Sequence, residues 1–149
     1  MIIGELSMQN FSALPPEATL VDAGRALQTT GSPVLVVIQD GQLLGTVSDR
    51  DLAVKGCGGG RRPEAVTVLD ICDRNPAVCP IGTRLSRALE MMKERSQPWL
   101  VVVGHDDQVA GVVSLDSLIS VLAGLVPEEG GGGPEPEYVQ RVRGHGRGD

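Results

Sequence analysis

Aromatic side chains are scarce in this sequence. Phe11, Trp99 and Tyr138 are all that its 149 residues contain. A core must then be built from Val, Leu, Ile, Ala and Met, and a surface that stacks nucleic-acid bases on aromatic platforms is disfavoured. Net positive charge is missing as well. Thirteen Lys and Arg stand against nineteen Asp and Glu, a formal charge of −6, which disfavours general binding to DNA or to an acidic membrane surface. Arg61-Arg62 is too short a run to change this. Long apolar runs are absent too. Val34–Ile38 and Trp99–Val103 hold five residues each, whereas a spanning helix needs about 20. The N-terminus has no charged region followed by a long apolar stretch, so no signal peptide is expected. These absences together read as a cytoplasmic protein with neither nucleic acid nor membrane as partner.

Cysteine and histidine are also few. Cys57, Cys72 and Cys79 make an odd count at loose spacing, which reads as reduced thiols rather than a disulfide framework. Cys72 and Cys79 lack the spacing of a zinc knuckle. The His105-Asp106-Asp107 cluster reads as a polar hairpin tip. Histidine occurs at 105 and 145 only, and no nucleophile elbow, Walker loop or H-E-x-x-H is present. No set of groups in fixed mutual geometry is on offer for catalysis, so the expectation is no enzyme, no metal and no required cofactor.

What the chain does contain is a duplication. Gly45-Thr46-Val47-Ser48-Asp49-Arg50-Asp51 has a near copy 66 residues on, Gly111-Val112-Val113-Ser114-Leu115-Asp116-Ser117. Each copy ends an apolar strand and opens a helix. The two differ three residues after the serine, where the first has Asp51 and the second Ser117.

Order along the chain supports the repeat. An apolar lead-in, Met1–Leu6, precedes a short strand over Phe11–Leu14, stopped by Pro15-Pro16. Thr19 caps a helix with Leu20, Ala23 and Leu27 on one face, and Gly31 ends it. Val34–Ile38 is a β-branched strand, Asp40-Gly41 a two-residue hairpin turn, and Leu43–Val47 the return strand. Ser48 caps the next helix, which Cys57-Gly58-Gly59-Gly60 ends. The second half runs in the same order. Val66–Cys72 is its lead-in and Ala77–Cys79 its first strand. Leu85, Ala88, Leu89 and Met92 form a helix face, Trp99–Val103 and Val109–Val113 a hairpin, and Ser114 caps a last helix. The expected fold class is α/β of the α+β kind, each half reading β-α-β-β-α. A half of this size has an apolar sheet face that a second half can cover. The expected boundaries are 1–60, 61–125 and a disordered Gly/Pro/Glu/Arg tail over 126–149.

The repeated motif has a chemistry of its own. A helix start offers free N–H groups and a positive dipole end, which suit a phosphate. Ser48 adds a hydroxyl, Arg50 or Lys55 a cation, and Asp51 a carboxylate able to accept from both ribose hydroxyls, as acidic residues do in dinucleotide folds. Gly45 admits a close neighbour, and Ala13 and Leu14 offer backbone groups and an apolar wall to a base. A second reading stays open. Ser48-x-x-Asp51 is also a capping box, which satisfies backbone donors and needs no ligand.

This order, with Ala13-Leu14-Pro15, Pro33-Val34, Gly45-Thr46-Val47-Ser48-Asp49-Arg50-Asp51-Leu52, Val78-Cys79-Pro80, Pro98 and Gly111-Val112-Val113-Ser114, resembles the tandem cystathionine β-synthase (CBS) domain pair, or Bateman module. The resemblance covers roughly residues 1–124 and is to the stand-alone bacterial members. It implies two halves about a pseudo-two-fold axis and a non-catalytic regulator that binds an adenine nucleotide and modulates a separate partner protein. It further implies a homodimer through the helix faces Leu52–Val54 and Leu115–Leu122. The expected ligand set is Ala13, Leu14, Val34 and Gly45 with Val47, Ser48, Arg50 and Asp51. A weaker second cleft would use Val78, Cys79, Gly111 and Ser114. AMP, ATP, NAD and S-adenosylmethionine all carry the adenosine that Asp51 would hold. The competing expectations are a ligand-free dimerisation scaffold and a cysteine-based redox or metal sensor.

Overall fold

Turn chemistry and β-branched runs set the strands. The structure, a computed structural model, describes residues 1–6 and 11–124; the predicted tail over 126–149 lies outside the described residues. Strand β1 is Ala13–Leu14, helix α1 Leu20–Thr30, β2 Val34–Gln39 and β3 Gln42–Ser48. Asp40 and Gly41 join β2 to β3 with φ of 52° and 78°, the left-handed pair of a type I′ turn, whose twist matches that of the strands it connects. A short helix α2, Asp49–Asp51, continues into a wide π turn, Leu52–Cys57. Helix α3 is Val68–Ile71. The second repeat supplies β4 (Val78–Pro80), α4 (Leu85–Arg95), β5 (Trp99–Val103), β6 (Val109–Ser114) and α5 (Leu115–Leu122). Each repeat forms its own three-stranded sheet, β1-β2-β3 and β4-β5-β6, with the first pair of strands parallel and the second antiparallel. The mixed α+β class and the two-repeat organisation are as expected.

Packing and sequence repeat divide the chain differently. Two compact units exist among the described residues, one ending at Pro76 and one that joins the opening segment to residues 77–124. The lead-in of the first repeat, expected within 1–60, belongs to the core of the second. Ile3 N–H donates to Thr83 O at 2.8 Å, Gly4 N–H to Ile81 O at 2.9 Å, and Leu85 N–H to Met1 O at 3.1 Å. Ile3 and Leu6 are buried with Leu85, Ala88, Leu100 and Leu118. The lead-in of the second repeat sits likewise in the first unit. Val68, Ile71 and Cys72 are buried with Leu20, Ala23, Leu35 and Val47. The physical reason is local: a three-stranded sheet with a short parallel edge strand has an apolar side still to cover, and the lead-in supplies the missing cover.

Candidate functional site

The register of the first sheet decides which motif residues face together. Ala13 pairs with Val36 and Val36 with Thr46; Val34 pairs with Ser48. Directly paired residues share a face and neighbours along a strand alternate. One face therefore carries Ala13, Val34, Val36, Thr46 and Ser48. The opposite face carries Leu14, Leu35, Val37, Gly45 and Val47, and there the core lies.

This alternation splits the expected ligand set. Ala13, Val34 and Ser48 fall on one face, but Val34 is fully buried there and its side chain is not open to a ligand. Val47 falls on the other face: it is buried in the core, and its side chain is closed to a ligand. Leu14 packs against the same core. Gly45 does admit a close neighbour, but that neighbour is the chain itself. A Cβ at Gly45 would run into the Asp73 carbonyl oxygen and stand 3.0 Å from Cys72 Sγ. Thr46 and Asp73 exchange backbone hydrogen bonds there, at 3.1 and 2.8 Å, so the connecting segment lies against β3 in an antiparallel bridge. The sequence assigned that space to a ligand because it could not show where residues 72–73 would run.

At the end of β3 both side chains of the motif turn to the main chain. Ser48 Oγ accepts from the Asp51 N–H at 3.1 Å, and Asp51 Oδ2 accepts from the Ser48 N–H at 2.9 Å. This is a complete capping box. Two others occur in the same unit, Thr19 with Asp22 and Thr67 with Asp70. In those, the backbone N–H and hydroxyl of the cap threonine hold Asp22 and Asp70 below the ordinary carboxylate pKa. Asp51 differs in its second oxygen. Lys55 Nζ lies 3.4 Å from Oδ1, with the Asp51 side chain 18% and the Lys55 side chain 47% exposed, and also donates to the Ile71 carbonyl at 3.2 Å. Lys55 thus attends the carboxylate. Arg50 is exposed and, among the described residues, holds no ion pair; of the two candidate cations it is the uncommitted one. An i,i+4 pair this exposed contributes about 0.3–0.5 kcal/mol, so Oδ1 is held weakly. Ser48 serves its cap as an acceptor, which leaves its O–H as a donor.

Thr46 was not anticipated. It is fully buried, and its Oγ1 has no hydrogen-bond partner. It lies two residues before Ser48 on the same sheet face, so strand alternation counted back from Ser48 would have found it.

The second junction has the same frame with less polarity. Val78, Val101 and Val112 form the row that matches Ala13, Val36 and Thr46. Ser114 Oγ accepts from the Ser117 N–H at 3.2 Å, and the two hydroxyls lie 2.9 Å apart. Cys79, expected in the weaker cleft, is fully buried in the core, and burial pushes its thiol pKa up. Gly111 is paired with Val102 and falls on that core face as well. Cys57 is exposed and Cys72 buried, both free. Among the described residues no three His, Cys, Asp or Glu side chains gather as a metal-holding group, and no helix is long and apolar enough to cross a membrane.

The family model for the CBS domain matches residues 3–55 and 68–124. An uncharacterized protein from Methanopyrus kandleri is 22% identical over 125 residues, covering 83% of this chain and 64% of that one. The chain thus spans under two thirds of that relative's length. A CBS domain protein from Pyrobaculum aerophilum, complexed with AMP, has a TM-score of 0.72 at 19% identity over 83% of this chain and 99% of that one. The cytosolic domain of the Mg2+ channel MgtE, in complex with ATP, has a TM-score of 0.63 at 21% identity over 74% and 44%. At such identities the likeness establishes the fold.

Proposed function

The chain belongs to the CBS-domain family in both of its repeats, and from that premise we propose that it is a non-catalytic regulatory module that takes an adenine nucleotide at the β3–α2 junction of the first repeat. The observation that carries this reading is Asp51. Its Oδ2 belongs to the cap, but Oδ1 is held only by a half-exposed lysine, and a carboxylate has acceptor positions to spare for sugar hydroxyls. Ser48 O–H and the exposed Arg50 side chain provide for a phosphate. The exposed Ala13 lies on the same sheet face. The AMP and ATP complexes of proteins with this fold support the choice of ligand. The module acts in the cytoplasm on a separate partner protein. Exposed Ile119 and Leu122 on α5, and Val54 after α2, supply the apolar faces of a homodimer.

Calorimetry with AMP and ATP tests the ligand. The wild type gives heat, and Asp51→Asn loses about tenfold or more in affinity, the worth of one hydrogen bond to a charged group. Absence of heat with both nucleotides in the wild type would sink the proposal. One observation favours a second reading, a ligand-free interaction module: the Ser48–Asp51 box repeats the two boxes at Thr19 and Thr67. That reading requires the dimer to form, and its melting temperature to stay fixed, whatever nucleotide is added.

A further inference from the structure

Lys55 touches two parts of the first unit at once. Its ammonium stands beside Asp51 Oδ1 at 3.4 Å and donates to the Ile71 carbonyl at 3.2 Å. The first contact is to the oxygen that the capping box leaves over. The second is to the final carbonyl of α3, in the segment that connects the two repeats. A helix end leaves its carbonyls without intrahelical partners, and Lys55 supplies one here. The next links are backbone. The Cys72 N–H donates to Val68 O at 2.8 Å, and Asp73 exchanges its two bonds with Thr46. Thr46 stands two residues before Ser48. Asp51, Lys55, Ile71, Asp73, Thr46 and Ser48 therefore close a ring of contacts around the start of α2.

We infer that Lys55 is a positioning residue that couples occupancy of the Asp51 site to the connecting segment Val68–Asp73. The inference rests on the nucleotide reading above and adds the route by which binding is felt elsewhere in the chain. An ammonium shared between a carboxylate and a neutral carbonyl follows the larger negative charge. A bound nucleotide changes both sides of that balance. Its sugar hydroxyls take up Oδ1, and its phosphate draws the ammonium toward the helix start. Ile71 O then loses its donor. A ligand moves an equilibrium only through contacts that differ between the two states, and the Lys55–Ile71 bond is such a contact. Lysine suits the task, because its stem is flexible and its head is a compact point charge.

Hydrogen exchange across Val68–Asp73, read by mass spectrometry on the full chain with and without saturating AMP, tests the coupling. Calorimetry is run on the same samples. With AMP the wild-type segment exchanges about threefold faster or more, as expected when one local tether is lost. Lys55→Met exchanges at that faster rate without AMP and shows no further change on adding it, and Lys55→Arg restores the AMP-dependent difference. AMP heat with unchanged exchange in the wild type overturns the coupling and leaves the nucleotide reading standing. So does a Lys55→Met segment that exchanges like wild type in the absence of AMP. No heat with either AMP or ATP overturns both.

Discussion

The two strand-to-helix junctions share one backbone plan and differ in what their side chains are free to do. At the first, Ser48 and Asp51 satisfy each other's backbone donors and leave a carboxylate oxygen and a hydroxyl proton over. At the second, Ser114 caps Ser117, and the two hydroxyls lie against each other. Two rows back the same difference recurs, Thr46 against Val112. A duplicated frame thus holds one junction capped by a hydroxyl and a carboxylate and one capped by hydroxyls alone. Capping explains the serine in both copies. It does not require the carboxylate, since α5 forms without one.

Exchanging the two junctions is the most direct way to break the comparison. Asp51→Ser, which copies the second junction into the first, removes one capping partner and the proposed sugar contact. Nucleotide affinity is expected to fall by about 10- to 100-fold, the range for hydrogen bonds to a charged group, while stability falls by only about 1 kcal/mol as a cap partner is lost. The reverse change, Ser117→Asp, completes a box at α5 and should raise stability by about 0.5–1 kcal/mol. Calorimetry and urea denaturation read the two effects separately. Equal affinity in wild type and Asp51→Ser would reduce the first junction to a cap.

Gly45→Ala tests what the glycine of the motif is for. The added Cβ would meet backbone at Asp73, not a flexible side-chain tip, so the pairing of Thr46 with Asp73 has to shift. Overpacking of this kind costs about 1–3 kcal/mol, and the loss should be the same with and without AMP. A loss of affinity with stability unchanged would instead assign the space at Gly45 to a ligand.

Much of this was legible in the residues, for identifiable reasons. The repeat, the hairpin at Asp40-Gly41, the caps at Thr19, Ser48 and Ser114, and the helix face at Leu85, Ala88 and Met92 are local features, and local chemistry writes them plainly. The motif's side-chain directions were harder. A contiguous string such as Gly45–Ser48 looks like one site, yet strand alternation sends Val47 into the core and brings Thr46 round to Ser48. The destination of the lead-ins was not legible. Nothing in Ile3 or Val68 says which sheet it will cover, because both sheets offer the same kind of apolar side. The close neighbour of Gly45 was hidden for that reason: it comes from 28 residues away in the chain.

Thr46→Val sharpens the comparison by a smaller step. It gives the first sheet the residue that the second already has at Val112. The hydroxyl is buried and unpartnered, so its removal should stabilise the protein by about 1 kcal/mol, in the range for relieving an unsatisfied polar group. Affinity for AMP should change little if Asp51 carries the sugar contact. A large loss of affinity would make Thr46, not Asp51, the residue that separates the repeats.

Acid should weaken the two units unequally, and this is the smallest effect expected. Asp22 and Asp70 both lie in the unit that ends at Pro76, and their caps hold both carboxyls below 3.8. In the other unit α4 begins at Arg84 with no side-chain cap. A carboxyl whose folded pKa is depressed binds fewer protons folded than unfolded. Its contribution to stability is then fully present above 3.8 and fades as pH falls through the lower folded value. Both carboxylates are solvent-exposed, so the effect is small and screened by salt. Hydrogen exchange at pH 5 and pH 3 should show the amides of α1 and α3 losing protection ahead of those of α4. Asp22→Asn combined with Asp70→Asn should remove most of that difference, because the double variant has no carboxylate left to protonate at either cap. If α4 loses protection first in the wild type, the capping boxes are not what distinguishes the two halves in acid.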